Sequence, residues 1–428
     1  MLALDFIRNQ PALVKDNIVR KFQHEKLPLL DKVIELDIKH REFTTEAGTL
    51  RNKRNTISKQ IGELMAQGKK DEVENAKKEV ASIAPRLAEL ERLEGEYSSK
   101  IREIMLVIPN IIDPSVPIGK DDSENMEVAR YGDSTIPSFN IPHHIDIMER
   151  LSGVDHVASG KTSGNGFYYL LGNLARLHSS ILSYARDFMI EKGFTYCVPP
   201  FMIRGNVATG VMSFSEMENI MYKIENEDLY LIGTSEHSMI GRYIDSILDK
   251  VSLPQAMTSY SPCFRKEVGA HGLDERGVYR VHQFEKQEMI VVCEPEDSMD
   301  WYNKMWEYTV EFFRTLDIPV RTLECCSGDL ADLKVKSVDV EAWSPRQQKY
   351  FEVGSCSNLG DAQARRLGIR IRGERGTYFA YTLNNTVVAT PRALIALLEN
   401  NLQADGSVRI PMVLRSYMSG MERIMPSV

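Results

Sequence analysis

The sequence has little of what marks secreted, membrane-embedded or zinc-containing proteins. Six cysteines are scattered through 428 residues without a CxxC pair, which argues against both a disulfide framework and a zinc site. No apolar run reaches the roughly 18 residues needed to cross a bilayer, and the N-terminal segment lacks the apolar block of a signal peptide. We therefore expect a cytoplasmic protein with reduced, mostly buried cysteines, no zinc and no membrane partner.

The glycine motifs of the common nucleotide-binding folds are absent too. Neither GxGxxG nor GxxxxGK[ST] occurs, and the strand–helix–strand rhythm of a parallel sheet does not appear. Strand candidates cover residues 229–232, 255–260, 279–289, 349–354 and 378–383, and the clearest amphipathic helices cover 174–192 and 392–400. This pattern predicts an α+β domain whose mostly antiparallel sheet is flanked by helices.

Glycine and proline are scarce between residues 30 and 106, where apolar residues recur at spacings of three and four. Such a repeat predicts two long helices that fold back at residues 67–70 as an antiparallel coiled-coil arm. Two registers fit: a turn near residue 70 places Leu50 opposite Leu90, whereas a slip of one heptad brings Arg54 opposite Glu94.

The arm and the composition of the following residues suggest a domain scheme. We expect an N-terminal domain at 1–110 that carries the arm, and a second domain, the body of the protein, at 126–428. Residues 111–125 are rich in proline, glycine and acidic residues, which is typical of a linker.

The outer part of the arm carries more basic than acidic side chains. Between Arg51 and Lys78 there are eight Lys or Arg and four Asp or Glu, although the whole chain has a net charge of −8. A locally positive prong is typical of binding to a phosphate backbone. A solvated coiled-coil face or a dimerisation arm would explain the same charges, so these interpretations stay open at this point.

A charged loop joins two strand-like segments in the stretch CFRKEVGAHGLDERGVYRVHQFEKQEMI, residues 263–290. If the two segments pair as neighbouring strands, Arg265 and Glu267 stand at the strand end and face the same side. The arginine offers a planar fork that suits a phosphate group. Glu285 and Glu288 differ by three positions, so they face opposite sides of the sheet and only one can serve a given pocket.

Five segments of the chain match known motifs in the right order. They are GFTYCVPPFMI (193–203), GTSEHS (233–238), FRKE with RVHQFEKQEM (264–267 and 280–289), YFEVGSCSNLGDAQARR (350–366) and TLNNTVVATPRALIALLENN (382–401). The first, third and fifth resemble motifs 1, 2 and 3 of class II aminoacyl-tRNA synthetases, in the form found in seryl-tRNA synthetases. The other two are similar to that family's serine motif and to its phosphate and metal segment. The arm matches its tRNA-binding domain, so the resemblance covers essentially the whole chain.

The resemblance implies that residues 126–428 form a catalytic domain with the class II synthetase fold, and that the reaction has two steps. L-serine and ATP would give seryl-adenylate and pyrophosphate, and the seryl group would pass to serine tRNA, with selenocysteine tRNA as a further acceptor. The family's dimeric organisation implies a homodimer through motif 1, in which one subunit's arm serves the other's site. ATP and Mg²⁺ are the implied cosubstrate and cofactor.

The resemblance also implies residue roles. Catalysis would depend on Arg265, which bridges the α-phosphate and the substrate carboxylate, and on Arg392, which holds the γ-phosphate. The implied serine-binding residues are Thr234, Ser235, Glu236, Arg265, Glu288 and Thr386. The implied ATP-binding residues are Arg265, Lys266, Glu267, Arg276, Val281, Phe284, Glu352, Val353, Gly354, Ser355 and Arg392. Mg²⁺ would bind Glu352 and Ser355, and tRNA would contact Arg51, Lys53, Arg54 and Lys59.

Two other functions compete with this hypothesis. A ligase that charges a carrier protein would share the motifs, but relatives of that kind lack a long arm. A non-catalytic RNA-binding relative would be expected to have lost Arg265, Arg392 or Glu352, and all three are present. Gly354 and Val387 depart from the common bacterial pattern, which leaves the substrate affinity open but not the reaction.

Overall fold

The structure is a computed structural model that describes residues 1–267 and 277–427, except for the side chains of residues 214 and 215. The chain divides into two compact units. The helical unit comprises Leu2–Val19 and Gln23–Ile108, and the sheet unit comprises Met1, Arg20–Phe22 and Pro109–Val428. Each is described by itself.

The described residues contain fourteen α-helices and fifteen strands. The helices are α1 Leu4–Asn9, α2 Pro11–Arg20, α3 Leu27–Ala66, α4 Lys70–Met105, α5 His144–Arg150, α6 His156–Thr162, α7 Gly172–Glu191, α8 Gly205–Val211, α9 Phe214–Ile220, α10 Ser235–Gly241, α11 Ser298–Thr315, α12 Ala362–Leu367, α13 Arg392–Asn401 and α14 Met412–Arg415. The strands are β1 Met126–Tyr131, β2 Thr195–Tyr196, β3 Met202–Ile203, β4 Tyr230–Leu231, β5 Ile247–Asp249, β6 Gln255–Phe264, β7 Gln283–Cys293, β8 Val320–Glu324, β9 Lys336–Ser344, β10 Lys349–Asn358, β11 Arg370–Gly373, β12 Gly376–Phe379, β13 Tyr381–Thr390, β14 Val408–Arg409 and β15 Arg423–Ile424. No helix of the described chain is long and apolar enough to span a membrane.

The helical unit is dominated by α3 and α4, which confirms the predicted helical arm. Their apolar positions form one seam of buried side chains, because a repeat of three and four keeps one stripe of each helix facing the other. The seam includes Ala47, Ile57, Ile83, Leu87 and Leu90. The reversal between the helices uses Gly68 at φ +74°, a left-handed conformation that glycine adopts without a steric cost.

Contacts across the arm decide between the two predicted registers. The Phe43 ring packs edge-on against Tyr97 with centroids 5.2 Å apart, a pairing that belongs to the register with Leu50 opposite Leu90. Glu94 accepts a hydrogen bond from Arg51 at 3.1 Å. Since Glu94 pairs with Arg51 and not with Arg54, the register slipped by one heptad is wrong.

The sheet unit is built on an eight-stranded sheet with the order β1-β8-β9-β10-β13-β7-β6-β2. Only the β2–β6 pairing is parallel, and the other six are antiparallel. The predicted mostly antiparallel α+β fold is therefore confirmed.

Helices cover both faces of this sheet. Met289 and Val291 of β7 pack into a cluster with α7, α11 and α13, whereas Ile290 and Val292 pack with α8, α10 and α12. Successive side chains of a strand point to opposite faces, so the two clusters lie on opposite sides of the sheet. The second face carries the segment that contains GTSEHS.

Several predicted element boundaries were wrong. The strand expected at 279–289 begins only at Gln283, opposite Phe264, because Val278 and Val281 are buried in a loop and mimic a strand pattern. The segment 378–383 belongs to two strands that end and begin on either side of Ala380. Strands β8 and β9 were not predicted. In β9 the charged Asp339 and Glu341 alternate with buried apolar residues, a period-two pattern that the sequence analysis did not use.

All six cysteines are free. Five of them are buried, and Cys197 is partly exposed. This confirms the prediction that the thiols are mostly buried.

Candidate active site

Arg265 lies directly after β6, where the sheet opens at the end of the β6–β7 pair. Its backbone N–H donates to the His282 carbonyl at 2.9 Å, which continues the hairpin pairing by one bond beyond the strand. The side chain crosses the Phe284 ring at 5.2 Å from the centroid, and Nε donates to the Gly233 carbonyl at 3.2 Å. One nitrogen is thereby anchored, and Arg265 lines two cavities, the first together with Phe284 and the second together with Gly233.

Arg392 is the first residue of α13 and lies 4.7 Å from the centroid of the Tyr279 ring. It donates to the Glu352 carboxylate at 3.0 Å. Burial works to raise the pKa of Glu352, but the neighbouring Arg392 outweighs it and lowers this pKa below the usual value. The two arginines thus approach one carboxylate from two different elements, α13 and the end of β6.

Two adjacent cavities open on this face of the sheet. The first has a volume of about 130 Å³. It is lined by Arg265, Glu267, Tyr279, Arg280, Val281, Phe284, Lys286, Glu352, Val353, Gly354, Thr386, Pro391 and Arg392, among others. Its walls combine aromatic rings, guanidinium groups and a carboxylate, the surfaces that would contact a base and its phosphates.

The second cavity is larger, about 390 Å³, and more acidic. Its lining includes Gly233, Thr234, Glu236, His237, Arg265, Lys286, Lys334, Asp339, Glu352, Ser355, Asn384 and Thr386. Arg265, Lys286, Glu352 and Thr386 line both cavities. A ligand in one cavity and a ligand in the other would therefore meet at these four side chains.

A buried polar cluster lies behind the second cavity. Thr234 Oγ1 donates to Glu288 Oε2 at 2.9 Å, and Lys286 Nζ donates to the same hydroxyl at 3.3 Å and forms an ion pair with Glu288. Burial raises the pKa of Glu288, while Lys286 counteracts the shift. Glu285 instead contacts His178 on α7, so the predicted opposite facing of the two glutamates is confirmed.

Glu236 is one of the carboxylates that line the second cavity. Its Oε1 accepts hydrogen bonds from Gln363 Nε2 and Asn384 Nδ2, both at 2.8 Å. Burial raises the pKa of Glu236 to about 7, and the Glu288 charge acts in the same direction. This carboxyl group therefore changes charge near neutral pH.

Two β-bulges change the direction of side chains that line the cavities. One interrupts β10 between Glu352 and Gly354, and the other interrupts β13 between Thr386 and Val388. A bulge redirects the side chains on either side of it. At Gly354 an added Cβ would lie 3.2 Å from the Thr386 carbonyl oxygen, so the close approach of β10 and β13 favours glycine here. Val387 is fully buried in the opposite cluster.

Some predicted site residues do not line either cavity. Ser235 is fully buried, and its hydroxyl points to the Ser259 carbonyl at 3.5 Å. Lys266 donates from Nζ to the Glu218 carbonyl at 3.1 Å. Glu288 lies behind Thr234, and Arg276 lies outside the described residues.

The four arm residues predicted to contact tRNA belong to the helical unit and differ in their pairing. Arg51 and Lys53 form ion pairs across the hairpin with Glu91 and Glu79. Arg54 and Lys59 are exposed.

Several cavity residues were missed by the sequence analysis. Lys286, His237, Asn384 and Asp339 all line the second cavity. Burial lowers the pKa of His237 to about 3, with Arg265 and Lys286 acting in the same direction, so this imidazole is neutral. The signal available for Lys286 and Asn384 was strand alternation, since each lies two positions from a predicted serine-binding residue, Glu288 or Thr386.

The sheet topology and the arginine-lined cavities are those of a class II aminoacyl-tRNA synthetase. A family model described as "tRNA synthetase class II core domain (G, H, P, S and T)" matches residues 220–401. A second model, described as "Seryl-tRNA synthetase N-terminal domain", matches residues 1–112.

Full-length relatives narrow the class to one family. The serine–tRNA ligase of Methanoculleus marisnigri is 39% identical over 99% of this chain and 100% of its own length. The crystal structure of seryl-tRNA synthetase from Pyrococcus horikoshii complexed with ATP is 39% identical, with a TM-score of 0.94 over 100% of both chains. The cytoplasmic enzyme from Naegleria fowleri, solved with AMP, is 32% identical with a TM-score of 0.86 over 98% of this chain and 96% of its own. The chain belongs to the seryl-tRNA synthetase family.

Proposed function

We propose that this protein is a serine–tRNA ligase that acts in the cytoplasm. It joins L-serine to the α-phosphate of ATP and transfers the seryl group to the 3′ end of serine tRNA. The observation that carries the proposal is the convergence of Arg265, Arg392 and Glu352 around one cavity that shares four side chains with a second, acidic cavity. Acceptance of selenocysteine tRNA stays a prediction.

The first cavity takes ATP. The adenine ring packs against Phe284, beside Glu267, and the phosphates meet Arg265 and Arg392. Both guanidinium groups stay charged at any physiological pH, so they neutralise phosphate charge as it is redistributed.

The second cavity takes L-serine. Glu236 and Thr234 bind its ammonium group, and Thr386 forms a hydrogen bond to its hydroxyl. Glu288 acts from behind Thr234, whose hydroxyl donates to it at 2.9 Å. A site with buried groups arranged for a hydroxyl rejects alanine, because those groups would be left unpaired. Discrimination between the two amino acids then occurs in the first binding step.

The reaction takes place where the cavities meet. A serine carboxylate oxygen attacks the α-phosphorus, a new oxygen–phosphorus bond forms, and the bond to the β-phosphate breaks to release pyrophosphate. Arg265 lines both cavities, so it holds the attacking carboxylate and the α-phosphate together. Positioning and charge neutralisation supply most of the acceleration in such a displacement. A terminal hydroxyl of tRNA then attacks the seryl carbonyl carbon, and AMP leaves.

Residues of the second cavity, at and beside Glu352, fit a magnesium ion. Glu352 supplies a carboxylate and Ser355 a hydroxyl, and the Asp339 carboxylate is hydrogen-bonded to Ser355. Oxygen donors of this kind suit Mg²⁺. When bound, the ion would offset negative charge on the ATP phosphates.

The partners follow from the same proposal. The arm binds the phosphate backbone of the tRNA through the exposed Arg54 and Lys59, with Arg51 and Lys53 alongside. Two copies form a homodimer through motif 1, residues 193–203, which includes β2 and β3. One subunit's arm serves the other's site.

The test is ATP–pyrophosphate exchange with a panel of twenty amino acids. We expect exchange with L-serine alone, and we expect Arg265→Ala to lower it by about a thousandfold. Arg372→Ala is the matched control, because Arg372 is an exposed arginine of β11 whose one ion-pair partner within residues 1–267 and 277–427 is the exposed Asp249. Exchange with another amino acid in place of serine, or full activity in Arg265→Ala, would contradict the proposal.

A further inference from the structure

Gln363 is a fully buried glutamine of α12 whose side chain uses all its polar atoms. Nε2 donates to Glu236 Oε1 at 2.8 Å and to the Val211 carbonyl at 3.0 Å, and Oε1 accepts from Thr382 Oγ1 at 2.7 Å. A carbonyl oxygen and an ionised carboxylate can accept hydrogen bonds but cannot donate them. A flipped amide would place oxygen against oxygen twice, so the orientation of Gln363 is fixed.

Glu236 receives a second donor at the same oxygen. Asn384 Nδ2 donates to Glu236 Oε1 at 2.8 Å, so Oε1 already accepts two N–H groups. Among the described residues, no hydrogen-bond partner is found for Oε2, and Glu236 lines the second cavity. Oε2 is therefore the oxygen available both to a ligand and to a proton.

Gln363 belongs to a different element from every predicted serine-binding residue. It holds Glu236 from α12, while Asn384 holds it from β13. The two donors fix the plane of the carboxylate as well as its position. A charged acceptor makes each such bond stronger than a bond between neutral groups.

We infer that Gln363 is a positioning residue that presents Glu236 Oε2 to the substrate's ammonium group, and that this ammonium group competes with a proton for the one oxygen. The inference rests on the proposed function, because it takes the second cavity as the amino-acid site. It assigns a role to a residue that contacts neither substrate nor ATP.

The groups around Glu236 set the pH at which a proton competes with the ammonium group for Oε2. Glu288 on β7 disfavours the ionised form, whereas Lys286 on β7 and Lys334 before β9 favour it. Burial is the largest influence and raises the pKa of Glu236 to about 7, and the hydrogen bond from Gln363 lowers it. Loss of that bond would move the titration to higher pH.

The consequence is a pH dependence confined to one substrate. Below about pH 7 the KM for L-serine should rise about tenfold per pH unit, because each unit reduces the ionised fraction of Glu236 about tenfold. The KM for ATP should stay within about twofold over the same range. A residue that merely supports the fold would change both constants and the melting temperature together.

The decisive variant is Gln363→Leu, measured by pyrophosphate exchange between pH 6 and pH 8.5. We expect the KM for L-serine at pH 7 to rise about tenfold, with the break in its pH profile about one unit higher, since one hydrogen bond to a charged group is removed. Gln287→Leu is the matched control. Gln287 is also fully buried, but it donates to Thr258 Oγ1 and not to Glu236, so its break should stay at the wild-type pH.

A second variant, Gln363→Glu, is used if circular dichroism shows that Gln363→Leu is unfolded. Gln363→Glu keeps the shape but sets a carboxyl group against Glu236, so the KM for L-serine should rise further than in Gln363→Leu, and the break should again move upward. An unchanged break in either folded variant, or a wild-type KM for L-serine that is flat with pH, would overturn the inference. Wild-type protein that exchanges no pyrophosphate with L-serine at any pH would instead overturn the proposed function.

Discussion

At the scale of single residues, the ionised Glu236 that is needed for function lowers the free energy of unfolding. Its folded-state pKa of about 7 lies above the ordinary value of 4.5. A group whose pKa is raised by folding stabilises the folded state below its unfolded pKa, and this contribution is lost as pH rises through the folded value. The ionised Glu236 that binds substrate is therefore the less stable form of the protein.

Glu236→Gln should remove this destabilisation. At pH 8 we expect the free energy of unfolding to increase by about 1 to 3 kcal/mol, because no charge has to be buried. At pH 5 the gain should disappear, and exchange with L-serine should be lost at both values. Urea unfolding at the two pH values measures the difference. Glu225→Gln, at an exposed position, is the control, and lower stability of Glu236→Gln at pH 8 would contradict the assignment.

Residue identity at the site could be predicted only where a motif names it. Arg265, Arg392 and Glu352 follow from short sequence patterns, and all three line the first cavity. Gln363 and Asn384 could not be assigned a role, because a buried amide gains its role from what it touches. Their common partner, Glu236, is more than 100 positions away in the sequence, with separations of 127 and 148.

At the scale of elements, the arm was the easiest part to predict and β8 and β9 the hardest. Apolar spacings of three and four over a long segment predict a helix strongly, since each turn repeats the same pattern. Strand β9 interleaves charged side chains with apolar ones, and Glu341 is tolerated because Arg321 of β8 pairs with it at 2.6 Å. That pairing depends on a neighbouring strand, which a local pattern does not contain.

The arm offers a test of the proposed tRNA contact. Arg54→Glu with Lys59→Glu should raise the KM for serine tRNA at least tenfold and leave pyrophosphate exchange unchanged. Two lost phosphate contacts should also reduce the slope of log affinity against log salt by about 1.5. Aminoacylation and filter binding at several salt concentrations measure both effects.

The control is the double change Arg92→Glu with Lys100→Glu. These residues lie at the other end of α4 and pair within the helix with Glu96. The same change of net charge should here leave tRNA binding within about twofold. An equal loss in both double variants would mean that the arm acts only through its overall charge.

At the scale of the whole molecule, the two units allow the two reaction steps to be separated. Leu50 and Leu90 lie opposite each other in the observed register, so residues 51–89 can be replaced by a short glycine-containing turn without breaking the seam below. We expect this shortened protein to keep pyrophosphate exchange with L-serine and to lose aminoacylation of tRNA. Retained charging would contradict the role of the arm, and a full-length chain with Gly68→Ala serves as the control for a perturbed turn.

The buried thiols of the sheet unit can be used to measure how often the surrounding structure opens. Burial raises the pKa of Cys263 to about 11 and that of Cys293 to about 12, so neither offers a reactive thiolate in the native state. A thiol reagent should modify Cys197 first, at a rate that also depends on the homodimer proposed through motif 1, and the other five only at the rate at which the surrounding structure opens. Labelling followed by intact-mass spectrometry would measure how often the structure around the buried thiols opens. ATP and L-serine should slow the late additions, because ligands that bind the folded protein stabilise it.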